Sequence, residues 1–304
     1  MKYLFRPKFI SSRYSKIAGD LSSQHLRRSS SSSSSGCVTV KTLKDGIVQV
    51  ELNRPDKHNG LDMDMFQGIA DAAKSLAGDR AVRCIILSGS GKSFCTGLDV
   101  KSVMSTPTNM AKLLEKPNGT PISNLAQDVG YLWRQVKCPV IASLHGMCFG
   151  GGLQIALGAD FRISTPDCKI SILEAKWGLI PDMSAAVTLR ELVRIDIAKE
   201  LTMTGRIISG EEAARIGLVT RCAADPFQAS LALAEEIVAR SPDSVADTKT
   251  LFQNTFANGC SEKEALEWET SLQRKLLGSY NQLMASSRNF GNNILPYKDR
   301  RSDK

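Results

Sequence analysis

Histidine, paired cysteine and long apolar runs are scarce in this chain, and each shortage removes a class of function. The three histidines, His25, His58 and His145, stand alone, and the eight cysteines (Cys37, Cys84, Cys95, Cys138, Cys148, Cys168, Cys222, Cys260) include no C-x-x-C pair. Zinc sites and redox dithiols need such ligands at short spacing, so neither a metal nor a redox centre is expected. Cys84 and Cys138 sit in apolar, strand-like runs, where a free buried thiol behaves as a small hydrophobe. A reducing compartment suits that usage better than a disulfide framework. No apolar run reaches the ~18 residues of a membrane span.

What remains is an ordinary globular composition, 42% apolar and 23% charged, on a chain of 304 residues that is long enough for a sizeable core. The net charge of +8 is unevenly placed. Residues 1–36 carry seven basic side chains against the single acid Asp20, leaving only +2 for residues 37–304. The folded part therefore has no charge excess to drive binding to a phosphate backbone, and no nucleic-acid partner is expected. The tail is Arg/Lys- and Ser-rich, and Leu4, Phe5, Phe9 and Ile10 share one helical face. This is the composition of an organelle transit peptide, here read as mitochondrial, followed by the low-complexity linker Ser29–Ser35. An untargeted extension is the other reading. The final Ser302-Asp303-Lys304 does not match the peroxisomal tripeptide.

From Val38, the alternating runs VTVKTL and IVQVEL flank Lys44-Asp45-Gly46 and predict a hairpin. An amphipathic helix is expected from Asp62 to Leu76, a buried strand at Cys84–Leu87, and a polar, flexible excursion from Ser105 to Gly119. A helix at 123–136, a strand at Pro139–Leu144, a glycine-rich turn and a short helix from Gly152 follow. Strands alternating with helices imply a layered α/β fold. Helices are expected at 226–240, 243–257 and 261–287, which suggests three segments: the tail 1–36, a core 37–225 and a helical region 226–304.

Two loops carry chemistry. Gly150-Gly151-Gly152 lies between a strand and a helix, where glycines leave backbone N–H groups unobstructed; close helix packing is the plainer use. Phe94-Cys95-Thr96-Gly97-Leu98-Asp99 is a second strand exit, and amides from the two loops could converge on one oxyanion. Gly89-Ser90-Gly91-Lys92-Ser93 only imitates a phosphate loop, because Ile86 stands where the first glycine belongs and no helix follows directly.

Taken in order, Asn53-Arg54-Pro55, Lys57-His58-Asn59-Gly60-Leu61, Ser93 to Asp99, Pro139-Val140-Ile141-Ala142, His145-Gly146, Gly150 to Gly152 and Gly178-Leu179-Ile180-Pro181 resemble the crotonase (enoyl-CoA hydratase/isomerase) superfamily over residues 38–290. The resemblance implies a spiral of β-β-α units, a C-terminal helical region that forms homotrimers or homohexamers, and an acyl-CoA thioester ligand with no cofactor beyond its own coenzyme A. It also implies an oxyanion hole built from the backbone N–H groups of Leu98 and Gly151.

The acid/base positions bear on the reaction. Hydratases of this family place one glutamate two residues after the triple glycine and another four residues before the glycine of the G-x-I-P segment. Here the second is Glu174, but the first position is Gln154. An amide orients substrate or water without exchanging a proton near neutral pH. Asp182 supplies another carboxylate, a placement that resembles the dienoyl-CoA isomerases of the superfamily, although those commonly carry an aspartate where Gln154 stands. The resemblance therefore implies a 3,5- to 2,4-dienoyl-CoA isomerase of fatty-acid β-oxidation in the mitochondrial matrix, with Glu174 and Asp182 moving the proton. An enoyl-CoA hydratase using Glu174 with Gln154 orienting water is the alternative, and a non-enzymatic RNA-binding homologue is a third. Asp182 could equally cap the helix expected from Ser184. His145 reads as structural, and Trp177 as core or pocket wall.

Overall fold

The computed structural model describes residues 36–116, 122–256, 259–291 and 295–302. The transit-peptide and linker readings, apart from Gly36, lie outside them. The elements run β1 (Val38–Thr42), β2 (Ile47–Leu52), α1 (Met63–Gly78), β3 (Cys84–Gly89), α2 (Val100–Met104), α3 (Pro107–Leu114), α4 (Leu125–Gln135), β4 (Val140–Leu144), β5 (Met147–Phe149), α5 (Gly151–Leu157), β6 (Phe161–Ser164) and β7 (Lys169–Ser171). They continue with α6 (Ala185–Leu192), α7 (Ile195–Thr204), α8 (Gly210–Arg215), β8 (Arg221–Cys222), α9 (Pro226–Val238), α10 (Pro242–Thr255), α11 (Glu262–Leu276) and α12 (Tyr280–Asn289).

Asp45 (φ 50°) and Gly46 (φ 78°) turn the β1–β2 hairpin with consecutive left-handed residues, the conformation that follows strand twist. The sheet then runs β1-β2-β3-β4-β6-β8, antiparallel in its first pair and parallel afterwards. Parallel strands need both faces covered. On one face Val48, Val50, Ile85, Leu87, Val140 and Ala142 join the main core with Phe66 and Ile69 of α1 and with Val129 and Trp133 of α4. On the other, Ile47, Cys84, Ile86, Ile141 and Ile163 are covered by Ala234 and Val238 of α9. Cys84 and Cys138 are buried free thiols, as their apolar settings imply. Desolvation holds the Cys138 thiol up at about 11.

Two expectations need correction. Within the supposed excursion from Ser105 to Gly119, Pro107–Leu114 forms α3, because Pro107 begins a helix well and Leu113 reaches the core. The helix expected at 261–287 is two, broken where Gly278 takes φ 75° and Ser279 caps a new start. Helix α9 closes the second face of the sheet. The described residues form one compact unit.

The later helices are tied to that core by polar side chains. Lys249 of α10 is buried and gives its ammonium to Asp160 Oδ2 (2.7 Å) and to the carbonyls of Trp133 and Cys138 (3.1 Å each). Residues 295–302 then cross α10 and α12: Arg301 N–H donates to Asp243 (2.8 Å), Lys298 N–H to Asn281 (2.9 Å), and Arg300 to Asp79 O (2.6 Å). Among the described residues no helix is long and apolar enough to cross a membrane.

Candidate active site

Strand β3 delivers the chain into residues 90–99, and Asn59 holds that turn. Its fully buried amide donates to Ser90 O (2.9 Å), Ser93 O (2.9 Å) and Phe94 O (3.1 Å), while its oxygen accepts Arg54 N–H (2.8 Å). Arg54 in turn pairs with Asp62 (3.0 Å) and Asp99 (3.3 Å), bracketing a parallel bridge between Leu61 and Leu98. That bridge uses Leu61 N–H to Gly97 O and Asp99 N–H to Leu61 O. Leu98 N–H is left without an acceptor among the described residues.

A second bridge, Cys95 to Cys148, draws this loop onto β5 and the start of α5. The approach is close: a Cβ on Gly97 would lie 2.9 Å from Phe149 O and 3.2 Å from Gly151 N. Gly151 N–H opens α5 and also has no acceptor among the described residues. Two unengaged backbone donors therefore stand on adjoining loops. Their arrangement requires glycine for separate reasons. Gly150 takes φ 50°, and Gly152 packs so tightly that a Cβ would sit 2.4 Å from Cys95 O. The space over Gly151 is filled by Met183 and Leu61.

Glu174 begins a short 3-10 turn after β7, which ends at Gly178 with φ 70°. Its Oε1 accepts a 2.6 Å hydrogen bond from Gln154 Nε2, whereas Oε2 is buried without a partner among the described residues. Burial is the largest influence on this carboxyl and raises it above the ordinary glutamate range. The Gln154 bond opposes the rise, and the Asp182 charge adds to it. Asp182 is solvent-exposed at its edge, yet the protein around its carboxyl desolvates it enough to raise it as well. Its side chain makes no hydrogen bond to α6, whose N-cap position is Ser184. The helix-cap reading of Asp182 therefore fails.

Gln154, expected from the sequence to orient substrate, is enclosed by protein. It is 0% exposed, and its oxygen accepts Met183 N–H (2.8 Å) and Ala185 N–H (3.3 Å) while its nitrogen faces Glu174. Only one amide orientation satisfies two backbone donors and a carboxylate acceptor. His145 Nε2–H donates to Gly91 O (2.9 Å), a structural use that agrees with its sequence reading. Trp177, 64% exposed, is not core. With Leu179 and Ile180 it makes the segment between Glu174 and Asp182 an exposed apolar strip. Sequence reasoning missed the roles of Asn59 and Arg54; the available signal was an Asn-Gly pair needing left-handed backbone, borne out by φ 55° at Asn59.

The arrangement thus offers two backbone donors suited to a developing oxyanion and two raised carboxyls suited to proton transfer. Comparison with known proteins agrees in kind. Residues 42–288 match the enoyl-CoA hydratase/isomerase family model, and the chain belongs to that family. Members of it act on acyl-CoA thioesters. A peroxisomal Δ(3,5)-Δ(2,4)-dienoyl-CoA isomerase of Arabidopsis thaliana is 31% identical over 219 residues, covering 69% of this chain and 78% of the relative. An (E)-benzylidenesuccinyl-CoA hydratase of Thauera aromatica is 33% identical over 206 residues, 67% of this chain and 77% of the relative. In structure, a putative enoyl-CoA hydratase from Streptomyces coelicolor A3(2) superposes with a TM-score of 0.77 at 28% identity, over 92% of this chain and all of the other. The fold is the mixed α/β crotonase fold.

Proposed function

We propose that this chain is a dienoyl-CoA isomerase, converting 3,5-dienoyl-CoA to 2,4-dienoyl-CoA by way of Glu174 and Asp182. One carboxylate takes a proton from C2, and the electron pair spreads through the diene onto the thioester oxygen. The N–H groups of Leu98 and Gly151 hold that oxyanion. The second group, starting as the carboxylic acid, protonates C6, so each double bond moves one carbon toward the thioester and no atom is gained or lost. The pair then exchanges protons with solvent to reset. No cofactor beyond the coenzyme A of the substrate is called for.

The observation that carries this reading is the buried, unpartnered Oε2 of Glu174 on a raised carboxyl that senses the charge of a second raised carboxyl at Asp182. Carboxyls raised by desolvation suit proton transfer in both directions. Hydration is the second reading, favoured by the Thauera relative. It is weakened by Gln154, whose oxygen is occupied by backbone N–H groups and whose nitrogen is committed to Glu174. The tail supports action in the mitochondrial matrix, in fatty-acid oxidation, although the Arabidopsis relative carries a peroxisomal name. Assembly as a homotrimer or homohexamer belongs to the same proposal. In its favour, Phe252 on α10 and Phe256 just past its end lie exposed, and Leu272 is the one buried residue of α11.

An ultraviolet assay of the chain without residues 1–36 tests the reaction. Appearance of the conjugated 2,4-dienoyl band from 3,5-dienoyl-CoA is the expected result. No such band, with decay of a 2-enoyl-CoA offered separately, would replace the isomerase by a hydratase.

A further inference from the structure

Resting on that reading, we propose that Gln154 is a positioning residue: its amide links the backbone N–H groups at the start of α6 to Oε1 of Glu174, leaving Oε2 as the oxygen that carries the proton and fixing Asp182 relative to it.

The linkage is continuous. Met183 N–H (2.8 Å) and Ala185 N–H (3.3 Å) donate to the Gln154 oxygen, and the Gln154 nitrogen donates to Glu174 Oε1 at 2.6 Å. An amide polarised by donors on its oxygen becomes a better donor through its nitrogen, so the two ends reinforce each other. Ser184 makes no side-chain cap to α6, and Gln154 supplies the missing acceptor from across the core. Because Met183 directly follows Asp182, one buried side chain anchors the backbone beside one carboxylate and an oxygen of the other. With Oε1 engaged and Oε2 buried without a partner, the two oxygens of Glu174 are inequivalent before any substrate arrives. A glutamate at position 154 would put a second carboxylate against Glu174. The amide instead keeps the acceptor for α6, gives a donor to Glu174 and adds no charge.

A purely structural role would leave Gln154 as the acceptor for α6 and nothing more. The two are separated by titrating Glu174 in the folded chain, following 13Cδ-labelled glutamate by NMR with Glu174→Gln to identify its signal. Gln154→Met keeps the length and loses all three hydrogen bonds. It should raise the Glu174 titration by about one pH unit, the direction expected when a donor to a carboxylate is removed. The acid-side fall of kcat on 3,5-dienoyl-CoA should move up with it. At its optimum kcat should drop about 10- to 100-fold, the equivalent of one hydrogen bond to a charged group, with KM within about twofold. Gln154→Glu should split the titration into two steps, since one proton is shared by the facing carboxyls. While that proton is held, it should retain more activity than Gln154→Met, because the acid donates as the amide did.

An unchanged titration and acid limb in Gln154→Met would overturn the proposal and leave Gln154 as a helix cap. Should Gln154→Met not fold, a single, unshifted Glu174 step in Gln154→Glu would overturn it equally. Full activity in Glu174→Gln would instead sink the isomerase reading, while the NMR titration still decides the role of Gln154.

Discussion

Substituting Gly152 with alanine should disable the site without adding or removing any polar group. The new Cβ would stand 2.4 Å from Cys95 O, 2.7 Å from Cys95 Cβ and 2.9 Å from Cys95 C. Two of these three atoms are backbone, and contacts below 3.0 Å are essentially never tolerated, so the Cys95 strand must retreat by at least the missing 0.6 Å. Cys95 is joined to Cys148 by the bridge that seats the 94–99 loop on α5, and Leu98 N–H lies three residues farther along. A shift approaching 1 Å at a reacting group costs about 100-fold, and loss of one oxyanion donor about 100- to 1,000-fold. We expect kcat to fall about 100-fold or more, with a loss of about 1–3 kcal/mol in stability from overpacking. Gly151→Ala is the internal comparison. Its Cβ meets the ends of flexible side chains, Met183 Sδ at 2.7 Å and Leu61 Cδ1 at 2.9 Å, so its effect should fall more on KM than on kcat. Steady-state kinetics with thermal melting read both. A folded Gly152→Ala enzyme with kcat within about threefold of the parent would refute the reasoning.

Other expectations follow from the same contacts. Asp182→Asn should abolish isomerisation and leave the melting temperature nearly unchanged, since the carboxylate caps nothing; undiminished turnover would remove Asp182 from the reaction. Burial raises Glu174 above its ordinary 4.5, so the folded chain binds that proton more tightly than the unfolded chain does. Its contribution to stability is therefore fully present below the unfolded value and is lost as pH rises through the folded one. Glu174→Gln should melt higher than the parent at neutral pH, with the gap closing below about pH 4.5; a gap independent of pH would contradict this. Lys249→Ala leaves Asp160 and two carbonyls without their ammonium, and denaturant unfolding should report a loss of about 3 kcal/mol. A loss near zero would mean that α10 is held without that anchor.

Much of the framework was legible where local pattern and burial coincide. The hairpin, α1 with its Asp62 cap, the apolar strands β3 and β4 and the triple-glycine turn all announce themselves by alternation, capping or glycine clusters. Strands β5 and β7 are three residues each and carry no period to read. The helix α3 hides behind a polar composition, because Leu113 is its one buried residue. The placement of α9 on the sheet depends on which face of β3 remained uncovered, a matter of tertiary packing. Glu174 and Asp182 could be picked out as candidates through family resemblance. The hydrogen bonds of Gln154 left no trace in the sequence, since its partners Met183 and Ala185 lie 29 and 31 positions away and are backbone atoms.

The most direct test is to run the reaction in deuterium oxide with 3,5-dienoyl-CoA and read the product by NMR. If one of Glu174 and Asp182 removes the C2 proton and the other, exchanged with solvent, protonates C6, the product is the 2,4-dienoyl thioester with deuterium at C6, and Asp182→Asn forms none of it. A product carrying a hydroxyl group at C3, or a 2,4-dienoyl product formed equally well by Asp182→Asn, would contradict the account.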